Sequence, residues 1–316
     1  MPGPTTVKNA ERILIASLRR YAVSRGLELQ LLSGDWVACL AKAGQRHLVI
    51  GYDLGLNGSA ASRIASDKGA TYDVLRHAGV PALEHRAFLH PRFLDFMPQD
   101  GNWTGLLAAF TEFGRDAVIK DNEGTGGIEV FRVRSLTELE QRAHKLFQIA
   151  RAIALSPFVA IEDETRLVMI DGDCVLAYAK QRASVTGDGT RTVGELIAAN
   201  PSAYDNPGLP LDAVPAAGQR VPLQWRHNLG LGARAILLDA NAPELASRLA
   251  LARNTMAALT LRFASIDIMT AGGGIPMVLE ANAGVMLEVA SRPDFGGAEL
   301  ADRIYHRALD LALKDQ

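Results

Sequence analysis

Cysteine is nearly absent from this sequence: Cys39 and Cys174 are the 2 in 316 residues, far apart and each flanked by apolar neighbours. That excludes a disulfide-stapled scaffold and points to buried thiols in a reducing compartment. An excess of one charge is missing too. The 33 Lys and Arg stand against 35 Asp and Glu, a net charge of −2, so no basic surplus marks a nucleic-acid or membrane partner. There is no apolar run of about 18 residues. The opening M-P-G-P-T-T-V-K-N-A lacks the basic start and apolar stretch of a signal peptide, so a cytoplasmic location is expected. Internal repeats and low-complexity tracts are absent. What is present, at 48% apolar, is a soluble globular chain able to bury a large core and to divide into subdomains.

The stretch I-D-I-M-T-A-G-G-G-I-P-M-V-L-E-A-N-A-G-V-M-L, Ile266 to Leu287, sets acidic residues inside two apolar strands. Side chains alternate faces along a strand, so Glu280 and Asn282 share one face, and Asp267 points away from Ile266 and Ile268. Gly272, Gly273, Gly274 and Pro276 supply turn chemistry. A turn centred between Gly273 and Gly274 puts Asp267 directly across from Glu280, with Asn282 diagonal to it. Facing carboxylates repel, and burial worsens the repulsion. Two carboxylates and an amide oxygen suit Mg²⁺ or Mn²⁺, so the pattern reads as a metal site; the other reading is a solvent-facing sheet.

Helical spacing covers residues 9–26, with Asn9 as N-cap and Gly26 as stop, and L-E-L-Q-L-L, V-A-C-L-A and H-L-V-I-G-Y follow as strands. G-L-N-G-S-A-A-S-R-I reads as a flexible lead-in to the helix S-D-K-G-A-T-Y-D-V-L-R-H-A-G, capped by Ser66 and ended by Gly79. V-P-A-L-E-H-R-A-F, D-A-V-I-K-D and I-E-V-F-R-V are strands, and a helix capped by Ser135 or Thr137 comes next. Residues 158–182 are strand-rich with a turn at Asp171-Gly172. A Pro- and Gly-rich insertion occupies 187–235, residues 242–262 form one long helix, and a final helix follows Gly297. The order is α+β rather than a strict βαβ alternation.

Lys120 ends the strand A-V-I-K just before N-E-G-T-G-G. Gly124, Thr125, Gly126 and Gly127 permit a tight loop whose N–H groups can face phosphate oxygens, or simply a hairpin turn beside an exposed lysine. Lys68, by composition, is an ordinary helix-surface lysine. Glu162, Asp163 and Glu164 form a solvated strand end or acceptors for a ribose hydroxyl or an adenine amine. Lys180 and Arg182 close V-L-A-Y-A-K-Q-R and read as surface cations. Arg226, His227 and Asn228 sit in the insertion, where a lone histidine is more often structural than catalytic.

Taken in order, these pieces resemble the ATP-grasp superfamily. The D-K-x-x-T helix ending in A-G-V-P, the strand-end Lys120 with its Gly loop, E-x-E, and D…E-x-N recur there in this sequence order. Within the superfamily the sequence is most similar to the ATP-grasp part of cyanophycin synthetases and of bifunctional glutathione-forming enzymes. That likeness is carried by S-R-I-A-S-D-K (62–68), T-R-L-V-M-I-D-G (165–172), G-D-G-T-R-T-V-G-E-L-I (187–197), L-D-A-V-P-A-A-G-Q-R-V-P-L (211–223) and N-L-G-L-G-A-R-A-I (228–236). The resemblance implies an ATP-grasp fold of two α+β subdomains clasping ATP: residues 1–65 as a short α/β substrate-side segment, 66–156 as the subdomain with the Gly loop, and 157–316 as the subdomain with the metal site. It implies ATP phosphates on Lys68, Lys120 and the loop Gly124–Gly127, with Glu162 at the adenine hinge and Glu164 near the ribose. Asp267, Glu280 and Asn282 would hold Mg²⁺. Lys180 and Arg166 match cationic positions near the phosphates or acyl group, and Arg226 is the candidate for the Arg of the relatives' R-E-N-x-N.

The implied reaction is phosphorylation of a carboxylate by ATP and attack of an amine on the acyl phosphate, giving an amide, ADP and phosphate. The expected partners are an amino acid or short peptide as carboxylate and amine, with no nucleic acid and no membrane, and a homodimer is compatible. Three departures stand out. The Gly loop is shorter than the K-P-x-x-x-N-x-G-x-G of cyanophycin synthetases, N-A-G-V-M-L replaces N-A-x-P-G-L, and the relatives' large extra domains are missing. A stand-alone ligase is therefore expected; a nucleotide-binding sensor without turnover and an ATP-grasp kinase are the alternatives.

Overall fold

The computed structural model describes residues 11–93, 102–199, 206 and 208–314. The expected cap at Asn9 and part of the 187–235 insertion lie outside them. Contacts gather the chain into two units, one from the residues up to Gly58 together with those from Ala283 onward, the other from Ser59–Asn282.

The first unit begins with α1 (Ile13–Arg25), which stops where Gly26 adopts φ +61° and bonds back to the last carbonyls. An antiparallel meander follows, made of β1 (Glu28–Leu32), β2 (Val37–Lys42) and β3 (Gln45–Ile50). The helix that closes the unit, Gly297–Lys314, packs on α1. Leu14, Leu18 and Tyr21 are buried on one side of that seam and Ile304, Tyr305 and Ala308 on the other. Arg20–Asp302 and Arg25–Asp310 pairs flank it, and the Tyr21 hydroxyl donates to Asp310 at 2.9 Å.

The second unit opens with a helix, α2 (Ser59–Ser66), where the sequence suggested a flexible lead-in; Ala61 and Ala65 bury one face of it. Ser66 is consequently not a cap. Its hydroxyl donates to the Ser62 carbonyl, and Asp67 caps α3 (Lys68–His77) by accepting from the Ala70 N–H at 2.8 Å. The expected strand 80–88 shortens to β4 (Arg86–Leu89), because Pro81 and Leu83 bond to Val278 instead. Then come α4 (Trp103–Glu112), β5 (Ala117–Asp121), β6 (Val130–Val133), α5 (Leu136–Phe147, capped by Ser135) and β7 (Ala152–Pro157). These give an antiparallel sheet ordered β4-β7-β5-β6, closed over a core of Phe110, Ile119, Leu139, Leu146 and Ile153.

A second sheet follows. Its long hairpin is β8 (Ile161–Ile170) and β9 (Asp173–Gln181), turned at Asp171 and Gly172, both at positive φ. The insertion contributes a ribbon of β10 (Ser184–Thr186) and β11 (Arg220–Pro222) with α6 (Val193–Ala199). After β12 (Arg234–Leu238) the expected long helix is shorter: α7 (Ala246–Ala258) starts after a 3-10 turn at Pro243–Leu245 and ends before Thr260 reverses the chain at φ +52°. Finally β13 (Phe263–Ala271) and β14 (Met277–Asn282) form the expected hairpin, and the sheet order is β12-β9-β8-β13-β14, every pair antiparallel. The architecture is α+β. Cys39 is buried as expected, but Cys174 is only partly so. Among the described residues no helix is long and apolar enough to cross a membrane.

Gly69, in the first turn of α3, carries a packing constraint that fixes Lys68. A Cβ at this position would lie 2.7 Å from the Cβ of Ala87 on β4. Gly69→Ala is expected to lower stability in urea unfolding by about 1–3 kcal/mol, with Ala87→Gly in the same chain recovering much of the loss. A neutral single substitution would show that α3 does not depend on this close approach.

Candidate functional site

The hairpin register places Asp267 across from Glu280 and Ser265 across from Asn282, as the parity of the sequence requires. On its other side Asp267 pairs with Arg166 of β8, whose Nε and Nη2 donate to its two oxygens at 2.7 and 2.6 Å. Lys180 of β9 donates to Asp267 at 2.8 Å and also to Glu164. Burial alone would push the Asp267 carboxyl up, but Arg166 and Lys180 outweigh it and hold the group below the usual range. Burial opposes the charge on both cations, yet each is held above its ordinary value, Arg166 chiefly by Asp267 and Lys180 by Asp267 together with Glu164. Glu164 is raised by burial, with Lys180 pulling the other way. Facing carboxylates therefore do not by themselves require a metal here: Asp267 is already compensated by two cations.

Glu280 and Asn282 are differently placed. Glu280 is partly exposed and its nearest cation is Lys68, at 3.6 Å. The Asn282 amide nitrogen is buried with no hydrogen-bond partner among the described residues. That leaves an amide, one loosely engaged carboxylate and the remaining lone pairs of Asp267 on one face. Among the described residues no three His, Cys, Asp or Glu side chains form a metal cluster. The set is two carboxylates plus an amide, and it fits Mg²⁺, which takes few protein oxygens and fills its shell with water or phosphate.

Lys120, near the end of β5, is half-buried, and desolvation lowers its pKa to about 8; Glu280 and Glu164 favour its charge, and Lys68 opposes it. Lys68 is no ordinary surface lysine. It is buried, and its ammonium donates to the Gly124 carbonyl at 2.6 Å and to the Asn122 carbonyl at 3.3 Å. Asn122 in turn accepts from the Gly69 N–H at 3.1 Å, tying the start of α3 to the end of β5. Farther along the loop, Asn228 donates to the Gly126 carbonyl at 2.8 Å and Arg226 to the Gly127 carbonyl at 3.2 Å. Three loop carbonyls thus face protein donors, while the N–H groups of Thr125, Gly126 and Gly127 have no acceptor among the described residues. Gly126 and Gly127 are both at positive φ, and unbonded N–H groups in such a turn are what an anion nest is made from.

The structure brings together Lys68, Lys120, Glu164, Arg166, Lys180, Asp267 and Glu280 as a continuous array of charges. It does not draw Glu162 in: that side chain is exposed, at an irregularity in the β8–β13 register. Asp163 lies apart, accepting from Arg248 and from Thr270. Arg226 donates to the Gly127 and Val130 carbonyls of the loop and β6. His227 is buried, its Nδ1 against the Lys180 carbonyl at 2.5 Å, and desolvation lowers its pKa. Two contributors escaped the sequence reading. Asn122 was visible only as one letter of the Gly-rich turn. His85 lines a pocket with Lys68, Thr71, Tyr72 and Glu280, and burial, with the charges of Lys120 and Lys68, holds it neutral.

No protein-family model matches the chain. It is 27% identical over 257 residues to cyanophycin synthetases of Trichormus variabilis and a Nostoc species, an alignment covering 73% of this chain and 27% of each relative. The chain thus spans about a quarter of the length of those curated relatives. Among solved structures it is similar to a D-alanine–D-alanine ligase from Bacillus anthracis, with a TM-score of 0.54 and 15% identity over 82% of this chain and 69% of that one. It is also similar to a bifunctional glutathione synthetase from Pasteurella multocida, with a TM-score of 0.54 and 18% identity over 95% of this chain and 44% of that one. The fold shared with them is the ATP-grasp fold.

The contact between the insertion and the Gly loop is directly testable. Asn228→Asp keeps the side-chain oxygen that accepts from the Gly230 N–H but removes the donor to Gly126. Faster amide hydrogen exchange across residues 123–128 is expected, with global stability little changed because the bond that is removed lies at the surface. Unchanged exchange in the loop would rule out the latch.

Proposed function

We propose that this ATP-grasp chain is an ATP-dependent carboxylate–amine ligase acting on an amino acid or a short peptide. One observation carries the reading: four cations (Lys68, Lys120, Arg166, Lys180) are interleaved with three carboxylates (Glu164, Asp267, Glu280), beside a loop with three N–H groups that have no acceptor among the described residues. Four against three leaves one positive charge, which favours a polyanion such as a triphosphate. The similarity to a D-alanine–D-alanine ligase supports amino-acid substrates.

On this reading Lys120 and the N–H groups of Thr125, Gly126 and Gly127 grip the triphosphate. Lys68 braces the root of the loop against Glu280. Glu162 is available to an adenine amine or a ribose hydroxyl, whereas Glu164 is committed to Lys180. Glu280, Asn282 and Asp267 would hold Mg²⁺, which supplies charge neutralisation on the transferring phosphoryl group. An oxygen of the acid substrate attacks the γ-phosphorus and the bond to ADP breaks. The amine nitrogen then attacks the acyl carbon, phosphate leaves and the nitrogen loses a proton to solvent. No protein nucleophile is needed: the chain holds the reactants in line and presents Arg166 and Lys180 to the developing charge. Residues 66–156 would supply the phosphate side, 157–316 the metal side and 1–65 part of the substrate selection, a division of labour rather than of contacts.

ADP release with Mg²⁺ATP against pooled amino acids and dipeptides, with mass spectrometry of the same mixtures, tests the proposal. ADP with a new mass equal to acid plus amine minus water is expected. A stable phosphate ester would make the protein a kinase instead, and ATP binding without ADP formation on any pool would favour a nucleotide sensor. Glu280→Ala is expected to abolish turnover with an unchanged circular dichroism spectrum; normal activity would refute its role as a metal ligand. Lys120→Ala is expected to weaken ATP binding by about tenfold to a hundredfold, and unchanged affinity would reduce the Gly loop to a turn.

A further inference from the structure

Arg182 reads in the sequence as a surface cation, but in the structure it is half-buried, directly after the last residue of β9. Alternation along the chain puts it on the face of Tyr178 and Lys180, the face that carries the charges around Asp267. Its backbone is pinned on both sides. The Lys180 carbonyl lies 2.5 Å from His227 Nδ1, and the Ala183 carbonyl accepts from the Leu223 N–H at 2.8 Å. Its guanidinium, in contrast, has no hydrogen bond, ion pair or ring contact among the described residues. Burial opposes the charge of Arg166 as well, yet there Asp267 outweighs it; at Arg182 burial acts with no carboxylate to offset it. The titratable neighbour it acts on is His227, whose pKa burial lowers and the charge of Arg182 lowers further. A guanidinium does not shed its proton, so a half-buried one fixed in place calls for an anion from outside the described residues.

We propose that Arg182 recognises a carboxylate of the substrate that the reaction does not consume. The assignment rests on the ligase reading above, in which Arg166 and Lys180 face the carboxylate that is activated. Both of those cations are already bonded to carboxylates of the chain, whereas Arg182 offers a whole unpaired charge. One such charge matches a carboxylate, which carries a single negative charge, better than a phosphate group with ~1.5–2. The planar fork of a guanidinium takes both carboxylate oxygens at once, which a lysine in its place does not. Joining two amino acids or short peptides through one carboxylate leaves the other free, and it passes unchanged into the product. Arg182, next after Lys180 on the same face, is placed to hold that second group while the first reacts. The substrate class follows: molecules whose remaining carboxylate is free, in preference to the same molecules capped as amides.

Arginine footprinting of the full chain with phenylglyoxal, mapped by peptide mass spectrometry, reads the site without requiring turnover. Arg182 is expected to react in the free protein and with Mg²⁺ATP alone. Pooled amino acids and dipeptides, added with Mg²⁺ADP, should slow its reaction by about tenfold once near ten times their Kd, and the C-terminally amidated pool should not. An Arg182 that resists the reagent in the free protein is already covered by the chain, and one slowed by Mg²⁺ATP alone is a phosphate ligand. Either outcome overturns the proposal, as does equal slowing by the two pools or slowing by neither. Protection without ADP formation on any pool would keep the carboxylate site and discard the ligase reading; a new amide without protection would do the reverse. On the pool member that yields product, Arg182→Gln should raise KM about tenfold to a hundredfold with kcat little altered, and Arg182→Lys should recover only part of the loss. Circular dichroism verifies that both variants are folded, and an unchanged KM in both would overturn the proposal equally.

Discussion

Asp267 sits in the middle of a sheet with 1% of its surface exposed, and a charge so placed must be answered from within. Arg166 reaches it from β8 and Lys180 from β9. Lys180, itself buried, then needs Glu164 as well. One buried carboxylate has thereby enlisted three further charges across adjacent strands, and each shifts the protonation of its neighbours. Glu280 stands directly across the hairpin from this group and carries the array on to Lys68 and the Gly loop. Strand order, the side-chain directions of three strands and the position of the loop all follow from keeping that one charge paired.

Much of this was legible in the letters of the chain, and what was legible was local. Period-two alternation and a run of glycines sufficed to set Asp267 opposite Glu280, and Gly26, Ser135 and Asp171-Gly172 marked their helix ends and turn because cap and turn chemistry acts over a few residues. Ser66 and Asp67 are adjacent cap formers, and the composition does not say which one leaves the helical conformation; the presence of α2 decides for Asp67. Nor does anything near Thr260 forewarn of a positive φ, a conformation a β-branched residue adopts only under tertiary constraint.

The site's partnerships were out of reach for another reason. Arg166 and Asp267 are 101 residues apart, and their pairing depends on β8 lying beside β13, which no local pattern encodes. Asn228 and Gly126 are 102 residues apart, and their contact depends on how the insertion folds back. The loop illustrates the division well. Its glycines announced a tight turn, but the direction of its amides was fixed elsewhere, by donors that take up its carbonyls. Gly127 bears the mark of that contact: a Cβ there would fall 1.8 Å from the Asn228 amide.

The seam between α1 and the closing helix joins residues far apart in the sequence, with Arg20 and Asp302 separated by 282 positions. During synthesis at about 5–20 residues per second, α1 therefore waits roughly 15–55 s for the helix that covers Leu14, Leu18 and Tyr21. Over that interval the side chains that the closing helix covers lack that cover, and α1 has only its neighbours in the first unit, such as β1, to pack on. The packing of α1 is thus completed only by a helix whose Asp302 is made 282 residues after Arg20.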